Sequence, residues 1–130
     1  MLNPVTAEFI SQLQRLLPAA AFPELGDKYL TEPRGQYRGS AGLLVAPDST
    51  AQVAQVITVA AAARISVVPY GGGTGLVGGQ ILPESTTGAP APLILSLGRM
   101  RRIRACYPAE NVLVAEAGAV LAEVQQSASD

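Results

Sequence analysis

The side chains able to do chemistry in this chain are few. No histidine occurs among its 130 residues, so the commonest general base and metal ligand are absent and the usual acyl-transfer triads cannot be assembled. A single cysteine, Cys106 in RRIRACYPAEN, excludes an internal disulfide, fits a reducing compartment and reads as a small buried or half-buried side chain. What stands out instead is backbone: VVPYGGGTGLVGGQILPE places six glycines in the nine positions from Gly71 to Gly79. Glycine loses more conformational freedom on folding than any other residue, roughly 0.5–1 kcal/mol relative to alanine in regular structure. Such a cluster needs a use, whether as a flexible linker, a tight structural turn, or a backbone that must lie against a ligand.

Each use makes a checkable demand. A linker would not carry Leu76, Val77, Ile81 and Leu82, which favour burial, and a hairpin turn needs one or two glycines, not six. A phosphate loop of the G-x-x-x-x-G-K-[ST] kind needs a lysine beside it, and the only lysine in the chain is Lys28. Gly73, Gly75 and Gly78 do satisfy G-x-G-x-x-G after an apolar run, but a dinucleotide turn of that type must open a helix whose N-terminus faces the pyrophosphate. Here GGQILPES follows, with Gly78, Gly79 and Pro83 against a helix, and LILSL stands where an acidic ribose ligand belongs. A loop that wraps phosphates with successive backbone N–H groups, without a helix, accounts for the glycines and the missing lysine together. Thr74, the one hydroxyl inside the run, can add a side-chain donor.

The elements that must carry this loop follow from periodicity. Val5, Phe9, Ile10, Leu13, Leu16 and Leu17 recur at helical spacing between Asn3, an N-cap with Pro4 at the first helical position, and Pro18. Pro23 to Gly42 is polar, broken and without periodicity. Gly42 to Ala46 reads as a buried strand, and the next helix opens on Ser49 and Gln52, spaced as a capping box, with Val53, Val56, Ile57 and Ala60 on one face. ISVVPY reads as a second strand, and the default for strand–helix–strand is a parallel pairing of these two. Further strands are expected over Pro90 to Leu97, Arg102 to Cys106 and Val112 to Glu116, with antiparallel neighbours joined by turns such as YPAEN. A last helix carries Val120, Leu121 and Val124 on one side, and Pro83 to Pro92 reads as an exposed loop. The fold class is mixed α+β.

Charge narrows the partners. The formal net charge is −1 and the basic residues form no stripe, which opposes nucleic-acid binding. Arg99, Arg101, Arg102 and Arg104 alternate with apolar residues as the solvated face of a strand would. No apolar run has the length to cross a bilayer, and MLNPVTAEF lacks the positive start of a signal peptide, so the expected compartment is the cytoplasm.

VVPYGGGTGLVGG resembles the pyrophosphate-binding loop of FAD-linked oxidases whose flavin domain is of the vanillyl-alcohol oxidase or p-cresol methylhydroxylase type. The flanks resemble one branch, the D-2-hydroxyacid dehydrogenases, which includes D-lactate and D-2-hydroxyglutarate dehydrogenases and the flavin subunit of glycolate oxidase. Tyr37, Arg38 and Gly39 before LLVAP supply its Y-R-G; Leu95, Ser96, Leu97, Arg99, Met100 and Ile103 its LSL-x-R-M-x-x-I; Glu116, Ala117 and Gly118 its E-A-G. One departure stands in TEPRGQYRG, where Glu32 and Pro33 replace the branch's aspartate and tryptophan ahead of the arginine.

The resemblance implies the N-terminal part of a p-cresol-methylhydroxylase-type FAD-binding domain. Residues 1–70 would form N-terminal helices and a small β-α-β subdomain; 71–130 would carry the glycine loop and begin a mixed, mainly antiparallel second subdomain. It implies that Pro69, Gly71, Gly72, Gly73, Thr74, Gly75, Leu76, Gly78 and Gly79 line the pyrophosphate and ribityl part of FAD, with Glu116, Ala117 and Gly118 near the cofactor. Without a histidine, the expected binding is non-covalent. Oxidation of a 2-hydroxy acid to the 2-oxo acid needs a base and a cationic carboxylate clamp, which relatives carry in a C-terminal portion. No residue of 1–130 is therefore assigned a catalytic or metal-binding role. The chain reads as the FAD-binding portion of a longer oxidoreductase, inactive alone, binding FAD weakly or not at all and self-associating through exposed edges. The competing reading is a stand-alone interaction module that keeps the fold without the flavin.

Overall fold

In a computed structural model of the chain, residues 1–82 and 88–129 are described. The element order is α1 (Ala7–Leu16), β1 (Leu43–Val45), α2 (Thr50–Ala62), β2 (Val67–Tyr70), β3 (Leu93–Ser96), β4 (Ile103–Tyr107), β5 (Val112–Ala115) and α3 (Leu121–Ser129). The α+β class stands, and the strands expected from the apolar runs are present.

Their pairing differs from the expectation. β1 and β2 are parallel but not neighbours: β3 lies between them, parallel to both, in the order β1-β3-β2. Composition explains the order. All four residues of β3, LILS, are buried, as a central strand of a covered parallel sheet requires. Pro69 has no N–H for a ladder and sits in β2, at the sheet edge. A boundary at 70/71 thus runs through this sheet, because β3 lies beyond it and is its centre. β4 and β5 form a separate antiparallel pair with an irregularity between Ile103 and Ala105, as the short intervening turn implies.

The sheet is covered on both faces. Val45, Leu93 and Leu95 pack with Phe9, Leu13 and Leu17 of the first helical segment and with Val56, Val59 and Ala60 of α2. On the opposite face Leu44, Ile94 and Tyr70 meet Leu25, Tyr29, Leu30 and Ala41, so the aperiodic stretch after α1 is the second cover. That stretch contains a helical turn at Asp27–Tyr29 and a bridge between Thr31 and Arg38.

Local signals mark one helix start correctly and misplace the other. Ser49 Oγ accepts from Gln52 N at 3.3 Å, and Gln52 Oε1 answers by accepting from Asp48 N at 3.1 Å. α1, however, starts three residues late, capped by Thr6, whose hydroxyl accepts from Phe9 N. Asn3 instead binds the end of α2, donating from its side chain to Ala63 O and from its backbone to Arg64 O. Ile57, expected on the inner face of α2, is exposed, and Val59 takes its place. Cys106, expected at least half-buried, is exposed. Of the loop expected to be exposed from Pro83 to Pro92, residues 83–87 lie outside the described set, and Pro92 is fully buried against the sheet. No described helix is long and apolar enough to cross a membrane.

Candidate functional site

The glycine run leaves the end of β2 at Tyr70 and passes over the face that carries residues 28–40. Gly71 and Gly72 border a groove of about 220 Å³ together with Gly118, Lys28, Tyr70 and Arg101. Gly118 reaches it because the chain after β5 folds back on the end of β3. Its N–H donates to Met100 O at 2.8 Å, and a Cβ on it would stand 2.6 Å from the Leu97 carbonyl carbon. Only glycine allows that approach. At Gly71 and Gly72 the direction of an added Cβ is open, with no atom within 4 Å.

Beyond the groove each loop residue has a particular neighbour. Gly73 (φ +71°) lies on the Tyr70 ring, Gly75 against the Gln80 carboxamide and Gly78 (φ +74°) beside the Tyr37 ring. Gln80 Nε2 donates to Gly75 O at 2.9 Å and to Gly73 O at 3.3 Å. Arg34 donates from Nη2 to Leu76 O and from Nε to Glu32 Oε1, the latter at 2.9 Å. Glu32 is 1% exposed, and its second oxygen accepts from Gln36 N at 3.1 Å. Burial alone would raise the Glu32 carboxyl; the Arg34 hydrogen bond and the Gln36 and Arg34 amides outweigh it and hold its pKa below the ordinary value. In the substituted segment TEPRG, buried Glu32 thus braces exposed Arg34, which reaches the glycine loop at Leu76.

Tyr70 anchors the start of the loop. Its hydroxyl donates to Lys28 O at 2.8 Å, its ring meets Tyr29 edge-on at 4.8 Å, and burial, with the nearby Tyr29, raises its pKa. The Lys28 ammonium lies 4.8 Å from the Tyr29 ring centroid, so a cation does stand beside the glycines although the sequence shows none near them.

The structure brings together Gly71, Gly72 and Gly118 from the expected set. Gly73, Thr74, Gly75, Leu76, Gly78 and Gly79 continue from them along the surface, and Pro69 is exposed on the edge strand. Glu116 is turned elsewhere. Its buried carboxylate accepts from Arg102 N at 3.0 Å, from Arg102 Nη2 at 2.8 Å and from Arg104 Nη2 at 3.1 Å. These bonds, led by the Arg102 side chain, lower its pKa to about 2. Ala117 is exposed between them. The arginine cluster is correspondingly not a plain solvated face: Arg99 pairs with Asp48, Arg101 with Glu123, and Arg102 and Arg104 with Glu116. The sequence gives no sign that Lys28, Arg101 and Arg34 approach the glycines, since only the fold brings them there; Gln80 adjoins the run in sequence, and the fold turns its side chain back onto it.

A helix-free glycine loop and a returning E-A-G turn border a groove edged by two cations, Lys28 and Arg101. FAD fits it in part. The open Cβ directions at Gly71 and Gly72 leave room for a close pyrophosphate, while about 220 Å³ is below the 300–1,000 Å³ range of whole-ligand pockets. Residues 41–130 match the FAD binding domain family. The chain belongs to that family, and FAD is its cofactor. It is 40% identical over 87 residues to a rice protein (Oryza sativa subsp. indica) named "Probable D-2-hydroxyglutarate dehydrogenase, mitochondrial", a match spanning 67% of this chain and 14% of that one. The fold matches an alkyldihydroxyacetonephosphate synthase at a TM-score of 0.78 and 18% identity, over 98% of this chain and 26% of the other. It matches p-cresol methylhydroxylase at 0.66 and 15%, over 99% and 26%. The resemblance read from the motifs is therefore the family found.

Proposed function

We propose that the chain is the N-terminal, FAD-holding portion of an oxidoreductase that converts a D-2-hydroxy acid to the 2-oxo acid. The observation that carries this is the convergence of Gly71, Gly72 and Gly118 on one groove beside Lys28 and Arg101. In this reading Gly71 and Gly72 admit the pyrophosphate, the loop from Gly73 to Gly79 follows it with backbone N–H groups, and Lys28 and Arg101 offset its charge. Bound non-covalently, FAD would supply the electron acceptor for the oxidation. Glu116 acts by tying the segment after β5, which delivers Gly118, to Arg102 at the start of β4, not by touching the cofactor. Pro69 serves the same end by terminating the sheet where the loop departs. Ala117 accompanies Gly118 in that turn.

Titration of the chain with FAD, followed by amide NMR, tests the site. The expected result is weak, saturable binding that shifts Gly71, Gly72 and Gly118; no shift at millimolar FAD refutes it and favours a module that has lost the flavin. Protein captured from source cells with an antibody to this chain is expected to reduce a dye with D- but not L-2-hydroxy acids. Fractionation of the same cells checks the proposed cytoplasmic location against the mitochondrion named for the rice relative. Self-association is proposed through the β4–β5 pair and α3, where Val112, Val114, Val120 and Leu121 are exposed; sedimentation of the chain at rising concentration checks it.

A further inference from the structure

The glycine loop has two polar side chains turned onto its own carbonyls. Gln80 is half-buried, and its Nε2 is shared between the carbonyls of Gly73 and Gly75. A carboxamide facing two acceptors must present its NH2 group, so these partners fix the side chain's orientation. A Cβ at position 75 would stand 3.1 Å from Gln80 Oε1, so glycine there lets the carboxamide lie close to the backbone. Arg34 takes the next carbonyl, that of Leu76, while its Nε is held by the buried Glu32.

A trans peptide points its C=O and the following N–H in opposite directions. Holding the carbonyls of Gly73, Gly75 and Leu76 therefore aims the N–H groups of Thr74, Leu76 and Val77 away from the side chains that hold them. None of these three N–H groups donates to any described residue. Thr74, Leu76 and Val77 are exposed, so the amides are available to something outside the chain. A loop of bare glycines would sample both peptide orientations; one with three carbonyls held presents a fixed set of donors to an anion.

We propose that Gln80 and Arg34 are positioning residues of the glycine loop: by holding the Gly73, Gly75 and Leu76 carbonyls they preorganise the Thr74, Leu76 and Val77 amides for the pyrophosphate of the cofactor. The ligand half of this inference rests on the FAD-holding reading above; the loop half does not. Neither side chain touches the reacting atoms. Preorganised N–H donors to an oxyanion are among the stronger hydrogen bonds, so their disorder is expected to weaken pyrophosphate binding about tenfold.

The test uses the whole chain with two variants that leave net charge unchanged. Gln80→Met keeps the length and removes the donor. Arg34→Lys keeps the cation, but one ammonium cannot span both Glu32 and Leu76 as the guanidinium does. Amide NMR without ligand is read first: Thr74 and Leu76 signals are expected to broaden or shift in Gln80→Met, and Val77 in Arg34→Lys, while β3 and α2 signals and the melting point hold. Titration with inorganic pyrophosphate and with FAD is read second, both about tenfold weaker in each variant. Unchanged loop amides with unchanged affinity overturn the proposal. Disordered amides with unchanged affinity also overturn it, by showing that those donors do not face the ligand. If the wild type binds neither probe, the FAD-holding reading falls, whereas loop disorder confined to the variants still upholds the brace.

Discussion

Gly73→Ala isolates the contact on which the loop turns. Gly73 is in the left-handed region at φ +71°, which costs an L-residue about 1–2 kcal/mol. An added Cβ would also stand 2.5 Å from Tyr70 Cζ and 3.0 Å from Cε1, with the hydroxyl closer still. The ring cannot simply swing aside. Tyr70 is 7% exposed, edge-on to Tyr29 at 4.8 Å, and donates to Lys28 O at 2.8 Å. Moving it forfeits a hydrogen bond of about 1 kcal/mol and an aromatic pairing of similar size. Against this, alanine stiffens the unfolded chain by about 0.4–1 kcal/mol. A net loss of about 2–3 kcal/mol remains, equivalent to about 10 °C in melting temperature for a chain of this size. Thermal unfolding followed by circular dichroism measures it. Gly72→Ala, with no atom within 4 Å, is the control and is expected within about 0.5 kcal/mol of wild type. Tyr70→Phe in the same background removes the nearest atom, so the double variant should be less destabilised than the two singles together. A Gly73→Ala protein that melts with the control would refute the packing argument.

Two further outcomes are expected. Leu93→Ala, at a fully buried site where β3 crosses the core, should cost about 2–5 kcal/mol in urea unfolding. The Glu116 carboxyl is lowered from 4.5 to about 2 by Arg102 and Arg104, so its stabilising effect is complete above pH 4.5 and disappears as pH falls through about 2. The melting-point difference between wild type and Glu116→Gln should therefore shrink steadily from pH 5 to pH 2; a difference that grows in acid would contradict the assignment.

How far the sequence carried depended on the range of the interaction concerned. Ser49 and Gln52 announce α2 because the capping bonds span only a few residues. Strand existence was legible in GLLVA, ISVVPY and PLILSL, since apolar runs bounded by proline and glycine need burial wherever they go. Strand order was not legible by the default rule, although the signal lay in two residue types: a run buried on both faces belongs in the middle, and a proline belongs at an edge. The stretch from Pro23 to Gly42 reads as irregular because its order comes from partners 42 residues distant, such as Tyr70 on Lys28 and Leu76 on Arg34. No local periodicity can report bonds of that separation.

The glycine run itself shows where a sound local inference was too uniform. In sequence, six glycines in nine positions read as one cradle, each residue lacking a Cβ for the same ligand. The structure divides them. Gly71 and Gly72 have open space where a Cβ would go, which is the condition for an external group to approach. Gly73 makes room for Tyr70, Gly75 lies against Gln80, and Gly78 takes a positive φ beside Tyr37. Substitutions along the run should accordingly separate into those that weaken binding with the fold intact and those that weaken the fold first. A motif of this kind is therefore two patterns superimposed, one facing the ligand and one facing the protein. The second makes the first possible, because a loop held to Tyr70, Gln80, Arg34 and Tyr37 offers its amides in fixed directions.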